Sequence, residues 1–472
     1  IGSYGSEIKT PNLDRLAENG TRFSRFHNMA KCETTRSVML TGLYNSKQPV
    51  KPLSYYLSRA GYRTIMTGKE HFQPWVPDSC YSKYSFDRSL TYPIINEFFV
   101  PPSGQFEKPF SLNGKPFDMA ALDTGATPLY KTNVITDYAL KFMKESVEEK
   151  KPFFLYVPYH TAHYPLQALP EDIAKYRGQY KKGWDQLRQE RYNRMIKSGI
   201  IEENVALSPP EGNINKFRGH PKDNEEIRAS IPLYRPWDSL SEEEQDDLDL
   251  EMSVFAAMVD RMDQNIGRIV GYLEETGQMD NTLIMYLSDN GSCPYDSNRD
   301  FDVPPGGPDS YRTLCAAWAN LGNTPFRYFK QYGHAGGNNT QLIVHWPGVV
   351  PKGTISRAPG HVADILPTLL DIVNSREKEA PVIAPAYPLD GTSLLPVFKG
   401  GEREEPEYMV SGMPKFRMYS RGKWKIVKTN DGPWELYDTE NDRAELHDLA
   451  PKQPEKVAEL AHAYEEWQSL RN

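Results

Sequence analysis

Apolar residues recur along the chain with two periods, and the alternation between them sets the expected architecture. Leu13, Leu16 and Ala17 share one face of a helix that Thr10 caps, Pro11 opens and Gly20 ends. A second helix is predicted over 53–60 and a short strand over 62–67. The helix predicted over 136–149 carries Ala139, Phe142, Met143 and Val147 on one side and is broken by Lys151-Pro152. Phe153 to Val157 is a continuous apolar run, read as a strand buried on both faces. A long helix over 252–275 turns Val259, Met262, Ile266, Ile269 and Leu273 inward, and another buried strand covers 281–287. A strand over 341–347 precedes a helix over 363–373. Two stretches lack periodicity. Residues 72–130, rich in Pro, Gly and aromatic side chains, read as loops over one face, and 170–250 as a polar, irregular insertion.

Composition shifts near 376–390, which reads as a linker or cover loop. Beyond it, 416–420 and 424–428 flank Arg421-Gly422 as a hairpin, and 434–437 adds a strand. The last helix, 454–470, places Val457, Leu460, Ala461, Tyr464 and Trp467 at core spacing. Helices alternating with apolar strands argue an α/β fold with a largely parallel sheet. The expected organisation is an α/β domain over 1–385 and a C-terminal subdomain over 386–472. In open sheets of this kind ligands bind beyond the carboxyl ends of strands. Lys69, His71, His163, Asp289 and Asn290 all follow predicted strands, so position alone gathers them at one site.

With 472 residues and 39% hydrophobic content, a large core is available. The net charge of -8 and the lack of a Lys/Arg-rich run argue against nucleic acid, so an anionic substrate needs locally gathered positive charge. The acidic run 241–251 reads as a solvated loop and helix start. No 18-residue apolar run is present, so no membrane span is expected. The four cysteines, Cys32, Cys80, Cys293 and Cys315, show no zinc spacing.

Cys32 stands just before a predicted helix at 37–41, where free N–H groups and the helix dipole favour an anion. Arg36 adds a planar cationic fork one turn on. Taken alone, the pair is equally a buried Cys before a core helix and an Arg in an ion pair. Gly68-Lys69-Glu70-His71 puts Lys and His on the same side of an extended chain. Asp289-Asn290 offers two hard oxygen ligands suited to Ca²⁺, though Asp-Asn-Gly is also a common turn.

Cys32-Glu33-Thr34-Thr35-Arg36, followed by Ser37-Val-Met-Leu-Thr-Gly-Leu-Tyr44, resembles the nucleophile motif of the formylglycine-dependent sulfatases of the alkaline phosphatase superfamily. Residues 2–17 resemble that family's lead-in and first helix. Lys69 and His71 match its Gly-Lys-aromatic-His pattern, and His163 the His of Ala-Pro-His-x-Pro-Leu. Asp289-Asn290 matches its metal motif, and Lys330 the Lys five residues before Glu-Gly-Gly. Departures are Thr34 for Pro or Ala, Glu70, Ala162 for Pro, Ala335 for Glu, and Asn338-Asn339. The family's paired aspartates and any export signal would precede Ile1.

The resemblance implies an alkaline-phosphatase-like fold, a mostly parallel mixed sheet between helices with a small C-terminal antiparallel sheet and helix. It implies sulfate ester hydrolysis by a formylglycine made from Cys32, whose hydrate attacks sulfur and later expels sulfate. Lys69 and Lys330 would bind sulfate, with Arg36 beside the nucleophile. His71 would act as base and His163 as general acid. Ca²⁺ would sit on Asp289, Asn290 and residue 32. His160 and His334 are candidate substrate contacts. The implied partners are a sulfated carbohydrate and a formylglycine-generating enzyme, and the expected location is periplasmic or secreted. A phosphonate or phosphate ester hydrolase of the same superfamily and a non-catalytic glycan-binding protein are the alternatives.

Overall fold

The computed structural model describes the whole chain except residues 47–49, 73–84, 94–96, 100–109, 119–121, 123–128, 211–234, 295–301, 377–381, 414 and 472. Much of the expected loop region 72–130, part of the insertion and part of the 376–390 linker therefore lie outside the described residues.

Ten strands build two five-stranded mixed sheets: β1 (Thr21–His27), β2 (Arg63–Lys69), β3 (Arg88–Tyr92), β4 (Phe110–Leu112), β5 (Lys115–Phe117), β6 (Phe153–Tyr156), β7 (Ile284–Leu287), β8 (Asn339–His345), β9 (Thr354–Ser356) and β10 (Gly360–His361). The first sheet runs β10-β1-β8-β7 with β9 also on β1, and the second β5-β4-β3-β2-β6. β2 pairs parallel with both β3 and β6 and is buried at every residue. β11 (Met409–Met413), β12 (Phe416–Arg421), β13 (Trp424–Thr429) and β14 (Trp434–Asp438) form a separate antiparallel sheet beside the terminal helix Pro454–Arg471.

Helix α1 (Pro11–Glu18) lies where its signals put it. Helix α2 (Cys32–Thr41) is longer than its pattern suggested. Lys31 is extended at the N-cap, and Gly42, left-handed at φ 68, ends the helix. Cys32 is thus the first helical residue rather than the one before the helix. On α2, Val38 and Leu40 are at most 2% exposed and pack with Phe23, Phe26, Leu342 and Val344. Each such side chain contributes about 1.5–3 kcal/mol by burial. The same cluster takes in Val410, Tyr419, Ile426, Leu436 and Leu460, so the C-terminal sheet and helix share the core that holds α2.

Several expectations need correction. The acidic run is helical: Glu242–Glu275 is one helix of 34 residues, started by a capping box between Ser241 and Glu244. The insertion contains a regular helix, Gly183–Lys197, whose Trp184, Leu187 and Met195 face the core. β1 went unread because Arg22 and Arg25 interrupt its apolar pattern, and β3 because its polar Ser89 and Thr91 are buried. β6 and β7 are only partly buried, because each is an edge strand of its sheet. The hairpin turns at Gly422-Lys423, since Arg421 pairs with Trp424. Among the described residues no helix is long and apolar enough to cross a membrane.

Candidate active site

The end of β2, the loop after β7 and the first turn of α2 meet because α2 ties them together. Thr35 Oγ1 donates to the Asp289 carbonyl at 2.6 Å. The Arg36 guanidinium reaches Asp289 Oδ2 at 2.9 Å through Nε and 2.7 Å through Nη2, and donates to the Lys69 carbonyl at 3.1 Å. Arg36 is 6% exposed. Three of its five N–H donors hold Asp289 and the end of β2, so Arg36 ties the elements of the site together.

Around Cys32 the structure gathers the expected groups. His71 Nδ1 lies 3.1 Å from Cys32 Sγ, and its Nε2 lies 3.6 Å from Glu33 Oε2. Lys69 Nζ is 3.9 Å from Cys32 Sγ. Lys330 is carried by a loop pinned at two successive residues. Its own N–H donates to the Ser292 carbonyl at 3.0 Å, and that of Gln331 to the Ala30 carbonyl at 2.7 Å. Cys32, Lys69 and Lys330 are all at most 4% exposed. A cavity of about 270 Å³ is lined by Cys32, Lys69, His163, Asp289, Asn290 and Lys330. His163 Nδ1 lies 2.8 Å from the Tyr164 carbonyl, which can only accept, so Nδ1 carries hydrogen and Nε2 is left for the cavity.

These charges act on one another. Burial alone would raise the Cys32 thiol, but Lys69, Lys330 and the His71 hydrogen bond outweigh it and bring the thiol down to about 6. Burial, then Lys330 and Lys69, hold His163 well below the usual histidine range. Burial would raise Asp289, yet Arg36, Lys69 and Lys330 keep it below the usual carboxylate range. In protein carrying the unmodified cysteine, thiolate absorbance and alkylation rate at Cys32 should therefore rise with pH around a midpoint of about 6. A midpoint near that of a free thiol, about 8.5, would contradict the placement of both lysines.

The fit for a hard cation rests on Asn290. Its Oδ1 is buried and has no hydrogen-bond partner among the described residues, an orphaned acceptor beside the Asp289 carboxylate. Cys32, Glu33 and His71 form a second group whose ligand atoms lie within 4.8 Å of one another.

The two candidate substrate contacts differ in place. His334 is 0% exposed and its Nε2 is 2.9 Å from Glu435 of the C-terminal sheet, so it faces away from the cavity. That histidine anchors the Lys330 loop from behind, where Ala335 N–H also donates to Glu445 at 2.9 Å. His160 lines the cavity but is 4% exposed and stacked against His163, with ring centroids 4.7 Å apart. Sequence reasoning missed Lys131, whose Nζ is 3.1 Å from His160 Nδ1, and Glu33 behind His71.

The family model described as Sulfatase matches residues 1–375. The chain is 29% identical to an uncharacterized sulfatase of Schizosaccharomyces pombe, across 98% of this chain and 89% of that protein. It is 27% identical to an arylsulfatase of Klebsiella aerogenes, across 84% and 88%. The crystal structure of Ps i-CgsB in complex with k-i-k-neocarrahexaose superposes with a TM-score of 0.66 at 22% identity, over 98% of this chain and 88% of that one, a likeness of fold. With the motif residues assembled around Cys32 and the family model spanning most of the sequence, the chain belongs to the sulfatase family and is a sulfuric ester hydrolase.

Proposed function

We propose that the protein hydrolyses sulfate esters of a carbohydrate, using a formylglycine made from Cys32. The observation that carries this reading is convergence. Lys69 with His71, His163 and Lys330 come from three separate segments to one buried thiol in an otherwise acidic molecule. Sγ of Cys32 marks where the formylglycine oxygens would stand. Hydrated formylglycine supplies a hydroxyl nucleophile for sulfur and a route to release sulfate that a thiol lacks.

Lys69 and Lys330 neutralise the sulfuryl oxygens in a water-poor site, where fixed charge is most effective. His71, hydrogen-bonded to residue 32 through Nδ1, takes the proton from the attacking group. His163 gives its Nε2 proton to the leaving oxygen. Asp289, Asn290 and residue 32 would hold Ca²⁺, which when bound adds positive charge beside the nucleophile. Cys32 is 4% exposed, so the formylglycine-generating enzyme must act before α2 packs. The carbohydrate assignment draws on the saccharide bound in the Ps i-CgsB structure. Bulk sulfated glycans lie outside cells, which favours a periplasmic or secreted enzyme.

Sulfate release from sulfated saccharides, aryl sulfates, and matched phosphate and phosphonate esters tests the reading. Sulfated saccharides should be turned over fastest. A faster phosphonate or phosphate ester, or binding of glycans without turnover, would overturn it.

Two further outcomes are expected. Treatment with a calcium chelator should abolish activity and lower the melting temperature, and added Ca²⁺ should restore both. The second concerns pH. Burial, then the nearby lysines, depress His163 in the free enzyme, so its acid form is lost at low pH. A bound sulfate ester cancels part of their charge and lets His163 keep its proton to higher pH. The alkaline limb of kcat should then lie at higher pH than that of kcat/KM. Coincident limbs would remove His163 from the acid role.

A further inference from the structure

Lys131 opens the helix Lys131–Glu148 and is 1% exposed. A buried cation at a helix N-terminus is disfavoured twice, by lost hydration and by the positive end of the dipole. Burial accordingly pulls Lys131 well below the usual lysine range, with Glu97 pulling the other way. The fold nevertheless keeps it against two aromatic faces, with Nζ 4.8 Å from the Tyr92 centroid and 4.7 Å from that of Phe98. Its Nζ lies 3.1 Å from His160 Nδ1.

His160 is in turn sandwiched. Phe98 stacks on it at 5.3 Å and 14°, and His163 at 4.7 Å and 30°. His160 Nε2 is buried with no hydrogen-bond partner among the described residues. Two imidazoles stacked this closely cannot both be charged at low cost, so they titrate as a pair. Which ring takes the shared proton matters, because His163 is the one whose Nε2 is left for the leaving group.

We propose that Lys131 and His160 are a positioning pair for His163. Lys131 donates to His160 Nδ1 and keeps that ring neutral, so the proton taken up by the stack resides on His163. This rests on the general-acid role given to His163 above. Burial keeps His160 neutral first of all, and the charges facing it favour the same outcome: Lys131 from its helix, Lys69 from the end of β2, His163 itself, and Arg36 from α2. Those facing His163 are Lys330, Lys69 and Lys131, together with the Tyr164 carbonyl. Among the charges, Lys131 acts most strongly on His160, which is what a proton-steering role requires.

Imidazole NMR titration of wild type, K131M and K131Q, read beside the pH dependence of kcat, tests the pair. In wild type, His160 should hold one neutral tautomer, hydrogen on Nε2, from about pH 5 to about pH 8. In K131M it should titrate inside that window, and kcat at neutral pH should fall about tenfold as the proton is diverted from His163. K131Q keeps a donor without the charge, so His160 should titrate there too while its neutral form keeps hydrogen on Nε2. A merely structural lysine would lower the melting temperature and leave the His160 titration silent. His160 charging in wild type, or staying silent in the folded variants, overturns the proposal. If a variant does not fold, the wild-type titration still decides. A wild type that releases no sulfate would sink the general-acid reading instead, and the NMR result would remain readable.

Discussion

Cys32→Ala is expected to lower sulfate ester turnover by on the order of 10⁴-fold or more, the scale at which removing a covalent nucleophile operates. The loss should fall on kcat. The lysines that bind the anion remain, so KM should change little. Stability should also change little, because the packing that fixes α2 comes from Val38, Met39 and Leu40 and not from the residue at its first turn. The melting temperature is therefore the control. A variant that retains its fold and more than about one-tenth of its activity would show that the attacking group lies elsewhere.

Lys330→Met is expected to lower kcat/KM by about 10²–10³, the cost of removing one preorganised charge from a developing oxyanion. Burial disfavours the Lys330 cation, but Cys32, Cys293 and Asp289 outweigh it and hold the ammonium charged, so some loss of stability is expected and the melting temperature must be read beside the activity. The unmodified protein offers an independent reading of the same geometry. Lys330 is one of the charges that pull the Cys32 thiol down to about 6, so its midpoint should rise in K330M. Loss of activity with an unmoved thiol midpoint would place Lys330 too far from residue 32 to act on it.

Much of the site was legible because its chemistry is written in short runs. Cys32 to Arg36, Lys69 to His71 and Asp289-Asn290 each keep their spacing within one segment, and each follows or opens a regular element. What joins them was not legible. The Arg36–Asp289 ion pair spans 253 positions, and no local pattern announces that the guanidinium reaches this carboxylate. His334, a candidate substrate contact by sequence, neighbours Ala335-Gly336-Gly337. Its partner Glu435 comes from the C-terminal sheet, 101 positions away. Lys131 lies before the helix predicted over 136–149 and carries no signal of its own in the sequence, and only the fold brings Tyr92, Phe98 and His160 around it.

The alternation of helices and strands was readable where burial is two-sided or strictly periodic. It failed at β1, where arginines sit inside a central strand, and at the acidic start of the Glu242–Glu275 helix. There the capping box and the favourable placement of acidic residues at the positive end of the dipole outweigh the apparent solvation of the run.

The most direct test joins the chemical state of residue 32 to turnover. Protein coexpressed with graded amounts of a formylglycine-generating enzyme would be digested, and the Cys32 peptide weighed. Conversion of cysteine to formylglycine makes that peptide about 18 Da lighter. Sulfate release should rise in proportion to the converted fraction and extrapolate to zero where only thiol remains. Full turnover by the thiol form, or none by fully converted protein, would contradict the account.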